Sequence, residues 1–561
     1  MAQPADTVVL GKRLLTMEPQ SRSDWEGVAI RDGRIIRLLR RSEAAEVIGE
    51  NTRVHDVGHR VLMPGFVDVH AHSEVMCRTN HTTVDCRAPE CADIQDVQQK
   101  LSEAVGQAPK GSWVVAQGNL FYDRKLRERR LPTRAELDHV SREHPIAIRA
   151  GGHLSVLNSK ALEVSGITRD YVPPAFSITG PPQVERDASG DLTGIVKEMD
   201  VLLPLPTLGP AELKQALKQG ILDSFSNYGV TCIGEISETV AGMEAFSELA
   251  EEGGLPAAMR YYIWAPGTMK IEQAARWREH VNLGANPADV RVQGIKLFAD
   301  GGFSAKSAAV TCPYLGTDSC GEIAFSKYYF RRAVELSQGE GLQLSVHANG
   351  DRAQQWLCGR LLELGGASSG PARMRIEHAG NLMPTTDTME WWARAGIIPV
   401  PQAVFIYTFG EYFADYLGDF GRRGLFPFRS LIEQGWRLNG SSDVWVGSER
   451  EATSPWFSIW CCLARQAYSG NVLDVSEAID LDQALRMHTI DSAAVLGEAD
   501  VRGSLAPGKY ADVIAPSGDP YELPLDAIRK LKADFVMARG RCVLDRTEAT
   551  QVAGGQSNGR M

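Results

Sequence analysis

Short apolar, β-branched runs recur along the middle of the chain, most of them separated by helix-like stretches, and this recurrence restricts the fold more than any other feature. Eight can be picked out: Leu62–His70, Ile146–Ala150, Val230–Glu235, Val292–Phe298, Leu342–His347, Met374–His378, Ile397–Pro401 and Arg437–Asp443. Apolar strands that alternate with helices belong to a parallel sheet covered on both faces, and eight such units close a barrel. The expected fold class is α/β, a (β/α)8 TIM-like barrel spanning 62–497. The stretch from Cys77 to Pro145 and the Pro-rich stretch from Tyr171 to Leu208 are too long for barrel connections. They predict an inserted subdomain or lid at about 77–208.

Both ends of the chain read as β. Val28 to Arg31, the Asp32-Gly33 turn and Arg34 to Ile36 make a strong hairpin signal. Tyr510 to Ile514 is a short strand, and Asp534 to Leu544 reads as a second hairpin around Gly540. Residues 1–61 and 498–547 are therefore expected to pair into one composite β-sandwich, since chain ends often lie close together. Residues 548–561, rich in Gly and Ser, read as a flexible tail.

At 561 residues the chain is long for one domain, so a large barrel with a smaller accessory domain is the natural arrangement. A net charge of -11 argues against nucleic acid and against an anionic membrane surface as partners. No apolar run is long enough to span a bilayer, and the start lacks the pattern of a secretory signal. The ten cysteines are scattered, with no Cys-x-x-Cys pair, which points to reduced, mostly buried thiols and a cytoplasmic location.

The chemistry sits at the ends of the apolar runs. Val61-Leu62-Met63-Pro64-Gly65-Phe66-Val67-Asp68-Val69 leads into His70-Ala71-His72. Strand residues two apart point to the same side, so both imidazoles meet one point, and neutral imidazole is the commonest ligand of catalytic transition metals. Later runs each close on a residue able to bind metal: Lys296, His347, His378 and Asp443. Active sites in this architecture gather at the C-terminal strand ends. Each residue alone has a plainer reading: a hydrogen-bonded interior histidine, or Asp443 as a helix cap after Gly-Ser-Ser. A lysine in an apolar strand is costly to bury charged, so Lys296 is paired, exposed or chemically changed.

With these residues in order, the chain resembles the amidohydrolase superfamily, specifically the long amidohydrolase group that includes the YtcJ-like proteins and the N-substituted formamide deformylases. Further motifs carry the resemblance: Leu131-Pro132-Thr133-Arg134 with Leu137-Asp138, Gly152-His153, Asn158-Ser159 and Ala161-Leu162. They continue with Gly194, Glu198, Asp300-Gly301, and Arg502-Gly503-Ser504-Leu505 with Pro507-Gly508-Lys509 and Ala511-Asp512. The resemblance implies a divalent metal, zinc above others, at one or two ions per chain. His70, His72 and Asp443 would bind the more buried ion and His347 and His378 the other. Lys296, as N6-carboxylysine, would bridge them. The implied reaction is hydrolysis of a carbon–nitrogen bond by metal-activated hydroxide, with Asp443 as general base and acid. His153 is a candidate catalytic or oxyanion contact, and Asp300, Glu198 and Gln402 are expected around the ligands or the substrate. Two positions depart from relatives. Ile233-Gly234-Glu235 stands where a strand often ends in His-Asp, and Gln402-Ala403 replaces a Gln-Pro.

The stretch from Phe405 to Phe428 is rich in aromatic residues and reads either as a pocket wall for an apolar or aromatic substituent or as packing against the protein's own helices or a second subunit. The expected partner is a small-molecule substrate, and a homodimer stays open. Competing functions are a cyclic amidohydrolase or deaminase on the same metals, and a catalytically inactive scaffold. Retention of six candidate ligands disfavours the scaffold.

Overall fold

The structure, a computed structural model, describes residues 4–18, 24–175, 177, 182–366, 372–383, 385 and 387–547. The tail at 548–561 lies outside them. Seven parallel strands form the central, TIM-like sheet: β1 (Phe66–Ala71), β2 (Val230–Ser237), β3 (Ala258–Trp264), β4 (Val290–Phe298), β5 (Gln343–His347), β6 (Arg375–Glu377) and β7 (Ile398–Val400). They lie side by side in chain order from β1 to β7. Every residue of β2 and β3 is buried, as both-face coverage of a parallel sheet requires.

Two of the eight expected strands are placed differently. Ile146–Ala150 is not in this sheet. It pairs with Val114–Gly118 and Leu154–Leu157 in a separate six-stranded sheet drawn from residues 84–197. A strand the sequence did not suggest, β3, enters instead between β2 and β4: an Ala-Met-Arg-Tyr-Tyr-Ile-Trp run that reads as broken because Arg260 interrupts it. Arg260 is nonetheless fully buried, since Glu498 accepts from its Nε at 2.8 Å and the Ala288 carbonyl from Nη2 at 3.0 Å. The segment Arg437–Asp443 is not a ladder strand. Part of it still lies between the two edges of the sheet: Val69 donates to the Gly440 carbonyl at 3.0 Å, Asp443 donates to the His70 carbonyl at 2.8 Å, and Asn439 Nδ2 donates to the Pro399 carbonyl at 2.8 Å.

Helix Ser73–Thr82 continues past the start expected for the insertion and packs on helix Pro210–Ser224, so the six-stranded sheet leaves and re-enters between two helices in contact. The chain ends meet in two further sheets. One orders Arg34–Leu39, Gly27–Arg31, Thr7–Leu10 and Arg53–Asp56. The other orders Arg13–Leu14, Val61–Pro64, Val513–Pro516, Ala533–Ala538 and Arg541–Asp545, mixing both termini. The Asp32-Gly33 turn has φ of 51° and 73°, the left-handed pair that a tight hairpin needs. Gly540 approaches it so closely that a Cβ there would lie 2.6 Å from Gly33 Cα. Among the described residues no helix is long and apolar enough to cross a membrane.

Candidate metal centre

Side chains from five separate places converge at the C-terminal strand ends. β1 presents His70 and His72, both buried, to one side. Asp443 stands against them, with Oδ1 3.2 Å from His70 Nε2 and 3.6 Å from His72 Nε2. Lys296 of β4 brings Nζ to 3.4 Å from the same His70 Nε2. Across the centre, His378 Nε2 and His347 Nδ1 face each other at 3.0 Å, and Asp443 Oδ2 is 3.9 Å from His378 Nδ1. His378 and Asp443 are held at φ of 72° and 44°. That left-handed backbone costs about 1–3 kcal/mol at each, tolerated where surrounding structure enforces a functional geometry.

The outer nitrogens of the rings are occupied, which fixes what the inner ones can do. His70 Nδ1 donates to Glu377 at 2.6 Å, His72 Nδ1 to Glu238 at 2.7 Å, and His378 Nδ1 to Gln402 Oε1 at 2.7 Å. His347 Nε2 faces the Gly301 carbonyl and Asp300 Oδ1, both at 3.4 Å. The partners of His70, His72 and His378 are acceptors, so those three rings carry their proton outward and turn a lone pair inward, while His347 Nε2 also meets the Asn349 Nδ2 donor at 3.2 Å. Burial, together with Lys296, pushes His70 down to about 3, and burial with Lys296 takes His378 to about 4. His72 and His347 are likewise held well below the ordinary range by burial. All four are neutral near pH 7, the form that binds metal.

The arrangement fits a cation. His378 Nε2 turns a lone pair toward His347 Nδ1 at 3.0 Å, close enough for both nitrogens to ligate one ion. Nitrogen ligands about 2.0–2.1 Å from a tetrahedral zinc are about 3.3 Å apart, close to the 3.0, 3.2 and 3.6 Å separations here. His70, His72 and Asp443 form one group able to hold an ion, with ligand atoms within 4.8 Å of one another. Burial pushes Asp443 up to about 7, with Lys296 opposing, and burial pushes Lys296 down to about 8.

The other expected residues take distinct places. Asp300 accepts from the backbone N–H of Ala309, Asn349 and Gly350 at 2.8, 2.9 and 2.8 Å, fixing the loop that carries His347. Gln402 orients His378 and is itself held by Asn381 Nδ2 at 2.7 Å. Glu198 does not approach the centre directly. It accepts from His153 Nδ1 at 3.0 Å, and its own N–H donates to the His153 carbonyl at 2.8 Å. The His153 side chain is 44% exposed, and Glu198, Asp200 and Asp443 raise its pKa, so it lies within reach of the charge of Asp443.

Sequence reasoning missed Glu377 and Glu238, which hold His70 and His72. Glu377 had a readable signal: Arg375 and Glu377 are two apart in an apolar strand, and a charge pair on one buried face needs a reason. Glu235 accepts from Ser73 N–H and Oγ at 2.8 and 2.5 Å, and so holds the residue after His72. The aromatic stretch divides. Phe426, Phe428 and Phe413 are core residues. Phe405 stacks beside His378 with ring centres 6.2 Å apart, and Phe409 follows it at 4.4 Å. Phe121, from the six-stranded-sheet region, meets Phe409 and Tyr412 at 5.4 Å each.

Comparison with known proteins gives the family and the fold. The model of a family described as "Amidohydrolase family" matches residues 53–544. An N-substituted formamide deformylase of Arthrobacter pascens is 26% identical over 546 residues, covering 95% of this chain and 97% of its own. The putative amidohydrolase YtcJ of Bacillus subtilis (strain 168) is 24% identical over 502 residues, covering 87% and 89%. Among solved structures, an uncharacterized metal-dependent hydrolase from Pyrococcus horikoshii OT3 superposes with a TM-score of 0.71 at 22% identity, covering 93% of this chain and 99% of that one.

Proposed function

Because the chain belongs to the amidohydrolase family, we propose that it is a metal-dependent hydrolase of a carbon–nitrogen bond in a linear amide or N-substituted formamide. The observation that carries this reading is the set of four neutral imidazoles, three of them buried and His347 nearly so, that converge with Asp443. His70, His72 and Asp443 would hold one divalent ion, zinc by donor type, and His347 and His378 a second. Such ions supply a bound water of pKa about 7 and polarise a carbonyl oxygen.

The chain's own groups do the rest. Lys296, as N6-carboxylysine, would supply an anionic ligand to both ions. Its neutral Nζ forms an N–C bond to carbon dioxide and releases a proton to water, leaving a carbamate anion. Burial that brings Nζ down to about 8 favours the neutral amine this step requires. Asp443 would accept the proton of the attacking water and return it to the departing nitrogen, a role open to a carboxylate held beside the ions. His153, held by Glu198, hydrogen-bonds the substrate carbonyl oxygen. The strands from both chain ends act as one composite sandwich, and the region of 84–197 covers the centre as an insertion.

Phe405, Phe409, Phe121 and Tyr412 wall the approach to His378 and select an apolar or aromatic N-substituent. Phe409→Ala is then expected to lower kcat/KM about tenfold for aryl-substituted amides, about 1.4 kcal/mol of lost ring contact, while sparing small alkyl ones. Equal loss on both substrates would place the ring in packing alone.

The direct test is amine release from a panel of N-formyl and N-acyl amines by metal-replete protein. Hydrolysis that stops with a chelator and returns with zinc is the expected result. Metal-replete protein that releases no amine from any member of the panel would overturn the reading.

A further inference from the structure

A second group of metal-binding side chains lies outside the barrel, in the terminal sheets. His55, Cys542 and Asp545 each offer one donor atom, all within 4.8 Å of one another. His55 belongs to the strand Arg53–Asp56, while Cys542 and Asp545 belong to Arg541–Asp545, an edge strand of the other terminal sheet. In a regular strand, residues three apart point to opposite faces. Here the ladder slips: Val536 pairs with Leu544 but Met537 pairs with Cys542, leaving Val543 as an extra residue. That bulge resets the alternation and turns Cys542 to the face that carries Asp545.

The remaining geometry is prepared in the same sense. Asp545 Oδ1 accepts from Thr547 N–H at 2.9 Å and from Thr547 Oγ1 at 2.5 Å, which orients the carboxylate. Its Oδ2 is 3.2 Å from His55 Nδ1. The His55 ring rests against Phe535 at 5.2 Å between centres. Among the described residues Cys542 is the one exposed thiol, so a cation reaches it without opening the core.

We propose that His55, Cys542 and Asp545 form a second divalent-cation site, of the zinc class, which clips the N-terminal sheet to the last strand of the chain. A thiolate, an imidazole and a carboxylate suit a borderline-soft ion better than calcium or magnesium, and a solvent water completes four ligands. A bound zinc draws such donors to about 3.2–3.8 Å apart, a spacing the His55–Asp545 pair already has at 3.2 Å. The ion would join residues 490 positions apart in sequence, independently of the hydrolytic centre.

The test is titration of cobalt(II) into chelator-stripped, full-length protein. The hydrolytic centre proposed above has no thiol ligand, so a thiolate-to-cobalt charge-transfer absorption reports this site alone. The absorption is expected in the unaltered protein and absent from Cys542→Ser and His55→Gln. Both variants are expected to hold one zinc equivalent fewer and to keep their hydrolytic activity. No charge-transfer band at saturating cobalt, or a band that survives in both variants, would overturn the proposal. The first of these outcomes needs no variant to fold.

Discussion

Lys296→Ala is expected to fold, to lose most of its metal, and to turn over at least about 10²–10³-fold more slowly, the scale of removing one preorganised charge from an active site. The fold should survive because the lysine contributes little to it. Its Nζ is fully buried, its hydrogen-bond contact is with His70 Nε2 at 3.4 Å, and Phe298 offers only a ring face at 4.8 Å. Burying an ammonium costs several kcal/mol, offset here by the charges of Glu377, Asp443 and Glu238 without a direct ion pair, so deleting it changes the stability of the apo protein little. The metal should be lost because the proposed carbamate supplies the bridging anion. A short carboxylic acid such as acetate fits the space left by the side chain, and millimolar amounts are expected to restore part of the metal content and part of kcat. Metal analysis and rate measurements, each with and without the acid, separate the alternatives. A plain Lys296→Ala protein with full metal and full rate would remove the bridge from the mechanism. Loss of metal with no rescue would leave Lys296 as a charge-balancing residue.

The site was more legible than the fold around it, for a physical reason. His70, His72, Lys296, His347 and His378 each close a short apolar run, and a polar group at the end of a buried strand stands out against its neighbours. The same contrast hid β3, because Arg260 lies inside the strand and is neutralised by Glu498, a residue 238 positions away. Ile146–Ala150 shows the converse. It is a buried apolar strand, but nothing local distinguishes a strand of the barrel from one in a neighbouring sheet. Several motif residues that accompanied the resemblance turn out to organise helix ends. Thr133 caps helix Arg134–Val140 in a reciprocal pair with Glu136, Asn158 caps Ser159–Val164, and Asp138 accepts from Ser159 at 2.8 Å. A motif names residues that a family uses without saying whether it uses them for chemistry or for shape. Glu238 was invisible because its role exists only once distant strands meet, and Glu377 showed only the buried pair it makes with Arg375, not the histidine it holds.

Glu377 combines both uses, and its variants should pull them apart. It is wholly buried, accepts from His70 Nδ1 at 2.6 Å, from Arg375 Nε at 2.5 Å and from Ser345 Oγ at 2.7 Å. Although burial opposes ionisation, Arg375 and His70 hold its carboxyl well below the usual range, so it is an anion at any working pH. Glu377→Gln keeps the shape but strands the Arg375 guanidinium, whose remaining contacts are the Val69 carbonyl at 2.7 Å and the face of Tyr262 at 4.1 Å. Breaking one partner of a buried ion pair costs about 3–5 kcal/mol, so a clear loss of stability is expected in denaturant unfolding. The same change weakens the acceptor on His70 Nδ1, and loss of such a partner typically lowers metal affinity about 10–100-fold. Arg375→Met combined with Glu377→Gln removes the stranded charge, and replacing a buried pair by apolar volume is often neutral. The double variant should therefore regain most of the stability while the metal affinity stays low, because His70 still lacks its carboxylate. Recovery of both together would mean that Glu377 serves the fold and that His70 needs no anion behind it; recovery of stability alone would assign the carboxylate to the metal centre.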